Sequence, residues 1–201
     1  MDTKDLKMNS IDIEHLDLSQ TSSKKPRLLA SLKEIIIYAI IFIMCVFVLP
    51  RYVIQKTIVD GDSMETTLHD KDRLLLDKLT YQFKNPERFD IIVFYPYGKD
   101  VDEYYVKRVI GLPEETVQII GEDIYINGDK LEENYGKDPI TYSGIAEEPL
   151  TLGDDEFFLL GDNREISLDS RYEEVGLVHR DMIAGHAIVR IWPFDKFGIV
   201  K

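Results

Sequence analysis

Hydrophobic residues follow two different patterns along this 201-residue chain. Near the start, the run Ile35–Leu49 holds fifteen consecutive residues without a charge. Beyond residue 54 the apolar residues come in short runs, several of which alternate with polar positions. A long unbroken run is typical of a helix in an apolar environment, whereas short alternating runs are typical of β-strands. The pattern therefore predicts one apolar helix followed by a larger β-rich part.

The apolar run and its flanks are long enough to cross a membrane. A bilayer core of about 30 Å needs roughly 20 helical residues, and Lys33 and Arg51 can extend their charges from the two ends towards water. A buried core helix is the first alternative, but the run is apolar on every face. A cleaved signal peptide is the second, but residues 48–60 lack the small residues of an A-x-A site. We therefore predict a transmembrane helix over residues 31–54.

Positive residues on the N-terminal side of the run predict its orientation. Lys24, Lys25, Arg27 and Lys33 precede or begin it, and positively charged flanks stay in the cytoplasm. Residues 1–30 are then a polar cytoplasmic tail, to which we assign no function. Residues 55–201 form the part on the extracytoplasmic face of the cell membrane.

The part after residue 54 has strand signals closed by turn residues. We predict strands at Tyr52–Val59, Arg73–Leu79, Asp90–Tyr95, Glu103–Ile110, Val117–Ile120, Ile124–Ile126, Glu156–Leu160 and Met182–Trp192. The turn at 121–123 and the Asn127-Gly128 pair predict hairpins. No helical periodicity extends beyond ten residues here, and residues 132–155 look like a loop-rich insertion. The predicted fold is mainly β: one antiparallel, barrel-like domain after the membrane helix.

Charge and composition limit the classes of partner. The net charge is -13 and the isoelectric point is about 4.7, which argues against a nucleic-acid partner because phosphates attract basic surfaces. The single cysteine, Cys45, allows no disulfide within the chain. The four histidines lack metal-ligand spacing and no glycine-rich phosphate loop is present. We therefore expect neither a metal nor a cofactor.

Ser63 is the first candidate for chemistry and lies in the block Asp60–Leu68. A purely structural role is open, because Asp62 and Glu65 fit a capping box around a short helical turn. In a catalytic role, Gly61 would let the backbone approach a substrate closely. The Ser63 N–H would then point at a carbonyl oxygen, as an oxyanion hole requires.

Lys107 is the second candidate and lies in the block Tyr104–Pro113. On an alternating strand it shares a face with Tyr105 and Val109, while Arg108 lies on the other face. A free lysine has a pKa near 10.4, so action as a base requires a fall of about three units, or about 4 kcal/mol, which burial can supply. The structural alternative is a solvated lysine on an edge strand.

Together with a third block, Gly161–Arg171, these segments resemble the type I signal peptidases, the membrane-bound serine proteases that remove signal peptides. The resemblance covers most of residues 57–196 and the membrane segment. The single anchor is similar to the Gram-positive pattern. The motifs that carry it are Ser-Met-x-x-Thr-Leu from Ser63, Tyr-Val-Lys-Arg-Val-Ile-Gly-Leu-Pro from Tyr105, and Gly-Asp-Asn-Arg from Gly161.

The resemblance implies a role for each matching residue. Ser63, followed by Met64, would be the nucleophile, and Lys107 the general base. Ser167 would hydrogen-bond Lys107 and orient it. Gly61 would flank the oxyanion hole. Some family members carry a serine at this position that helps to form the hole, so the second hydrogen-bond donor of this chain stays unnamed. The residues expected to hold the surrounding loop by ion pairs are Arg108, Asp162, Asp169 and Arg171, with Arg164 in the same scaffold.

Three positions depart from the family pattern without removing a reacting group. Thr66 stands where proline is usual, so the turn after Ser63 is expected to be less rigid. Glu114 stands where the glycine of a Gly-Asp pair is common. His186 stands where a lysine or arginine often follows glycine.

The function implied is an endopeptidase that cleaves preprotein signal peptides at the bilayer, after small residues at A-x-A sites. The substrate would lie extended beside Ser63 and add a strand through backbone hydrogen bonds. Two alternatives stay open at this point. One is a different, self-processing Ser–Lys peptidase. The other is an inactive membrane-anchored β domain that binds exported chains.

Overall fold

A computed structural model describes residues 25–48, 52–101 and 103–201. Helix α1 spans Lys25–Ile43, and a π-helical segment, Met44–Val48, follows it. No helix within the described ranges has both the length and the apolar character that a membrane crossing needs. The transmembrane helix over 31–54 stays a prediction, and its residues 49–51 lie outside the described residues, as do residues 1–24 of the tail. The chain forms two compact units that are divided at Ile43/Met44.

The second unit is built from antiparallel strands. Their bounds are β1 Ile54–Ile58, β2 Arg73–Asp77, β3 Ile91–Phe94, β4 Tyr105–Gly111, β5 Thr116–Ile120, β6 Asp123–Ile126, β7 Asp129–Lys130, β8 Leu150–Thr151, β9 Glu156–Leu160, β10 Val178–His179, β11 Ile183–Trp192 and β12 Gly198–Ile199. Each predicted run overlaps one of these strands, which confirms a mainly β, antiparallel domain. The short strands β8, β10 and β12 were not predicted, because two residues cannot show an alternating pattern.

The strands form two sheets. The larger has the order β1-β2-β11-β3-β4-β9-β10, with β12 also paired to β11. The smaller has the order β7-β6-β5-β8. Strands β1 and β10 are the edges of the larger sheet as the structure describes it, so that sheet is open. The α-helical content of this unit is small, and α2, Thr80–Phe83, is a single turn.

Turn residues fix the hairpins of the smaller sheet. Gly121 turns β5 into β6 with a φ of 63°, and Asn127 and Gly128 turn β6 into β7 with φ values of 54° and 88°. These are the left-handed conformations that such turns require. Glu114 also has a positive φ, 66°. That conformation gives a physical reason why glycine is common at this position.

Strand β4 runs through the centre of the larger sheet. Its residues from Lys107 to Gly111 are buried, because β3 lies on one side and β9 on the other. Lys107 pairs with Ile92 of β3, and Arg108 pairs with Leu160, the last residue of β9. The chain that leaves β9 therefore passes directly beside this part of β4, and it is the third sequence block.

The loop after β1 is anchored by its apolar side chains. Met64 and Leu68 are almost fully buried in a cluster with Leu74 and Leu76 of β2 and Val93 of β3. This packing fixes the backbone on either side of Ser63. Burial of one such side chain contributes roughly 1.5–3 kcal/mol, so the loop is held by the core.

Residues 132–155 have little regular structure apart from a 3₁₀ turn, Gly144–Ala146, and β8. They are nevertheless packed, since Ile140, Ala146 and Leu152 are buried in the core of the smaller sheet. The segment therefore belongs to the folded domain.

Candidate active site

Ser63 and Lys107, 44 residues apart in sequence, meet in the structure. Lys107 Nζ lies 2.7 Å from Ser63 Oγ, which is hydrogen-bonding distance. Ser63 lies in the turn after β1, and Lys107 extends from β4 towards it. A nucleophile and a base need this spacing for proton transfer.

The surroundings of Lys107 favour its neutral form. Its exposed fraction is only 4%, and Tyr105 places its ring centroid 5.2 Å from Nζ. Burial lowers the pKa of Lys107 to about 8, with Asp169 and Asp162 opposing that shift and Arg171 adding to it. Desolvation destabilises an ammonium group that has no ion-pair partner in contact with it. The lysine is therefore partly deprotonated just above neutral pH.

The backbone beside the nucleophile is tied to the third block through Asn163. Its backbone N–H donates to the Ser63 carbonyl at 3.0 Å, and its Nδ2 donates to the Asp62 carbonyl at 3.2 Å. We assigned Asn163 no role from the sequence. The Gly161-Asp162-Asn163 turn was the available signal, but a turn sequence does not reveal what its amide touches.

Gly61 adopts a φ of 90°, a conformation suited to glycine. Its N–H donates to Asp70 Oδ1 at 3.0 Å. That N–H is therefore engaged within the loop and is a poor candidate for the second oxyanion donor. Of the described residues, none accepts a hydrogen bond from the Ser63 N–H, which fits its predicted role as the first donor.

Arg108 lies on the opposite face of β4 and is completely buried with Asp162. Its Nε donates to Asp162 Oδ1 at 2.8 Å and its Nη2 to Oδ2 at 2.7 Å. The guanidinium also stacks on the Tyr135 ring, with Cζ 3.6 Å from the centroid. The predicted contribution of Arg108 to a charge network agrees with this geometry. Both partners of this ion pair are fully buried.

Asp169 and Arg171 form a second buried ion pair. Arg171 Nε lies 2.8 Å from Asp169 Oδ1, and its Nη2 donates to the Ser167 carbonyl at 3.2 Å. Asp169 Oδ2 also accepts the Gly161 N–H at 3.0 Å. These contacts hold both ends of the segment 161–171, as expected.

Ser167 corrects one sequence-based expectation. It is fully buried, but its Oγ has no hydrogen-bond partner among the described residues, so the predicted bond to Lys107 is not made. Ser167 also packs closely against Gly161: a Cβ there would lie 2.1 Å from Ser167 Oγ and 2.5 Å from the Ser63 carbonyl oxygen. Gly161 is thus required for the approach of this segment to the nucleophile.

Arg164 and His186 lie away from the reacting pair. Arg164 is buried, pairs with Glu133 at 2.8 Å and donates to the Gly161 carbonyl at 3.0 Å, a scaffold role. His186 stacks on Tyr81, and its Nε2 is 3.7 Å from Asp90 Oδ1.

An open cleft of about 450 Å³ gives access to Ser63. Its walls come from the end of β1 with the following loop, and from the start of β4. The lining residues are Thr57, Ile58, Val59, Asp60, Asp62, Ser63, Met64, Glu103, Tyr104, Tyr105, Val106, Lys107, Ile166 and Leu168. Burial and the Tyr97 hydroxyl raise the pKa of Tyr105, so this phenol stays protonated. Within the described ranges, no group of three or more potential ligands is arranged to hold a metal ion.

A β domain with a buried lysine amine against an accessible serine hydroxyl has the geometry of a serine hydrolase. Comparison with known proteins narrows this class. The family model "Signal peptidase, peptidase S26" matches residues 32–192. The chain therefore belongs to the signal peptidase S26 family.

Individual relatives agree with this assignment. Signal peptidase I of Leptolyngbya laminosa is 42% identical over 153 residues, which is 73% of each chain. Signal peptidase I of Bacillus amyloliquefaciens is 34% identical over 189 residues, covering 90% of this chain and 97% of the relative. A solved signal peptidase I from Enterococcus faecalis is 34% identical and covers 51% of this chain and 97% of its own, with a TM-score of 0.41.

Proposed function

We propose that Ser63 and Lys107 are the nucleophile and the general base of a signal peptidase reaction. The chain is a serine endopeptidase that removes signal peptides, as its family membership implies. The observation that carries the site assignment is the 2.7 Å contact between Ser63 Oγ and a buried Lys107 Nζ. We infer A-x-A cleavage sites from the resemblance to the family.

The reaction follows from this geometry. The Ser63 hydroxyl donates its proton to neutral Lys107 Nζ as Oγ attacks the scissile carbonyl carbon. The protonated Lys107 then gives that proton to the leaving amine, and an acyl-enzyme forms on Oγ. Lys107 next takes a proton from a water molecule as the water oxygen attacks the ester carbonyl carbon. Protonated Lys107 then gives this proton to Ser63 Oγ as the ester C–O bond breaks, which releases the acid product and restores Ser63. The Ser63 N–H stabilises the oxyanion in both steps.

The residues around Ser63 and Lys107 keep these two side chains in position. Asn163 and the Arg108–Asp162 pair hold the backbone on which Ser63 lies, and Met64 anchors it in the core. Asp169 and Arg171 hold the segment that covers Lys107. Ser167 is buried beside Gly161 in the same segment.

The test is cleavage of a preprotein with an A-x-A site by the full chain in detergent. Wild type is expected to cut at that site, and Ser63→Ala is expected to be inactive. Ser143→Ala, at a serine outside the cleft, is the matched control and should cut at the wild-type rate. Cleavage by folded Ser63→Ala at the wild-type rate would overturn the assignment of the nucleophile.

A folded wild type that binds the preprotein without cutting it would favour the inactive binding domain. Cutting of its own chain with no cutting of the preprotein would favour the self-processing alternative. Family membership argues against both.

We also propose that residues 31–54 anchor the enzyme in the cell membrane with residues 55–201 outside. The proposal rests on the charge-free run Ile35–Leu49 and the preceding positive residues. Protease added to intact spheroplasts is expected to degrade the catalytic domain and leave an N-terminal fragment. A domain that is degraded only after lysis would contradict this orientation.

A further inference from the structure

The active-site cleft carries an unusual balance of charge for a site whose chemistry needs small apolar subsites. Among the described residues, three acidic ones line it, namely Asp60, Asp62 and Glu103, and the only lining cation is Lys107. All three acidic residues are exposed. We call them the acidic rim. Lys107 is the proposed base and reacts in its neutral form, so in the reacting state it does not offset the formal negative charge of the rim.

Asp62 is the member closest to the reacting atoms in sequence, directly before Ser63. Its backbone carbonyl accepts two hydrogen bonds, from Glu65 N at 3.1 Å and from Asn163 Nδ2 at 3.2 Å. The residue is therefore fixed in place, while its carboxylate has no ion-pair or hydrogen-bond partner among the described residues. Lys137 acts on Asp62 only at longer range, because its ammonium pairs with Glu65 at 2.9 Å. The Asp62 carboxylate beside Ser63 is therefore free to act on a charge that the substrate places there.

Asp60 is partly neutralised, yet its surroundings stay negative. Lys71 Nζ contacts Asp60 Oδ1 at 2.5 Å and Asp70 Oδ1 at 3.1 Å. One ammonium is thus shared by two carboxylates, which leaves this group with a net charge of about -1 at neutral pH.

Glu103 places negative charge on the opposite wall, just before β4. An extended substrate between the two walls would therefore pass carboxylates on both sides. The substrate side chains at the first and third positions before the cut are small, as an A-x-A site requires. The remaining positions next to the cut, the second before it and the first two after it, are those whose side chains can reach the rim.

We infer that the acidic rim makes this enzyme prefer preproteins with cationic side chains at these positions and disfavour those with acidic ones. The inference rests on the proposed function, and it names a substrate class within it. The rim acts by complementary charge, which raises the rate of encounter and the affinity of the productive complex. Because the charges are exposed, salt will weaken the preference.

The experiment uses one preprotein with Lys, Gln or Glu placed in turn at each of the three positions. The full chain in detergent is assayed for kcat/KM at low salt and at high salt. At low salt we expect kcat/KM to fall in the order Lys, Gln, Glu, with a spread of about 3- to 10-fold from first to last at the most sensitive position. At high salt the spread should shrink towards 1.

Three variants locate the effect. Asp62→Asn and Glu103→Gln should each narrow the Lys-to-Glu ratio by about 2- to 3-fold at low salt. Asp129→Asn removes an exposed charge on β7, outside the cleft, and should leave the ratio at the wild-type value. This control separates the rim from the general field of an acidic protein.

Two results would overturn the inference and leave the proposed function intact. The first is that wild type has equal kcat/KM for the Lys, Gln and Glu substrates. The second is that Asp62→Asn and Glu103→Gln keep the wild-type preference for Lys over Glu. In both cases the Gln substrate is still cut, so the proposed function stands. No cleavage of the Gln substrate by folded wild type would overturn the proposed function, and the inference with it.

Discussion

Lys107 and Arg108 are neighbours on the same strand and are equally removed from water, yet their surroundings have opposite effects. Lys107 meets a serine hydroxyl and an aromatic ring, and within the part of the chain that the structure describes no carboxylate contacts its amine. Arg108, on the other face, is held by both oxygens of Asp162 and by the Tyr135 ring. One buried cation is left without a counter-ion and the other is fully paired.

The comparison teaches that burial alone does not decide what a charged side chain does. Desolvation costs free energy in both cases, but only the bidentate carboxylate offsets it. Burial lowers the pKa of the Lys107 amine to about 8, which suits the role of general base proposed for it. The paired guanidinium keeps its charge and fixes the loop that carries Asn163.

Lys107→Met should give the largest effect on activity. Removal of the base is expected to lower kcat/KM by at least about 10²- to 10⁴-fold, since Ser63 Oγ would have nothing to take its proton. Preprotein cleavage at pH 8 measures this. Lys56→Met, at an exposed lysine of β1, is the control and should retain activity. A Lys107→Met enzyme as active as this control would show that the base lies elsewhere.

Asp162→Asn should give the largest effect on stability, because it leaves Arg108 buried without a counter-ion. We expect a loss of about 3–5 kcal/mol in the free energy of unfolding, measured by urea denaturation. Asp123→Asn breaks an exposed pair with Lys130 and should cost less than about 1 kcal/mol. Similar losses in the two variants would mean that the buried pair has no special role.

The pH dependence of Lys107 should appear in both rate and stability. Activity requires the neutral amine, so the rate should rise with pH through a midpoint at about pH 8. The folded pKa lies below the unfolded value of 10.5, so the unfolded chain binds the extra proton and the contribution of Lys107 to stability increases from about pH 8 to 10.5. Over this pH range the free energy of unfolding should rise by about 3 kcal/mol through Lys107.

Lys107→Met has no ammonium group to bury, so it avoids the free-energy cost that the charged lysine imposes on the folded state. Comparison of this variant with wild type therefore tests the lowered pKa directly. It should be more stable than wild type at pH 7, and the gap should narrow as the pH approaches 10.5. Parallel urea titrations of the two proteins at several pH values test this. A gap that stays constant with pH would contradict a lowered pKa for Lys107.

Tyr135→Leu should give the smallest effect. It removes the ring beneath Arg108 but keeps the Asp162 pair, so the expected loss is about 1 kcal/mol in the free energy of unfolding. The midpoint of the pH–rate profile should not move, since Tyr135 lies on the Arg108 face of β4. A shift of that midpoint would show that the two faces are coupled.

The strands and the reacting pair could be predicted from the sequence, for local reasons. Alternation in Glu103–Ile110 and the apolar run Asp90–Tyr95 depend on neighbouring residues alone. The motifs around Ser63 and Lys107 identified both residues, and the 2.7 Å contact agrees with their pairing. The position of Glu114, where glycine is common in the family, also reflects local backbone conformation, since Glu114 has a left-handed φ of 66°.

The supporting contacts could not be predicted, because they depend on how distant segments pack. Asn163 acts through its backbone N–H and amide, which any turn sequence could offer. Tyr135 comes from an irregular segment whose path no periodicity reveals. Whether Ser167 Oγ bonds to Lys107 depends on the exact distance and angle between two packed segments, which the sequence motif does not determine.

The tie between Asn163 and the Ser63 carbonyl has a consequence for how such enzymes decay over evolutionary time. A gene copy that loses Ser63 or Lys107 keeps its folded domain, since neither residue is needed to hold the 161–163 segment. A copy that loses Arg108 or Asp162 loses the support of the nucleophile and the fold together. We therefore expect inactive descendants of this chain to lack the reacting pair first and to retain the Arg108–Asp162 pair longest.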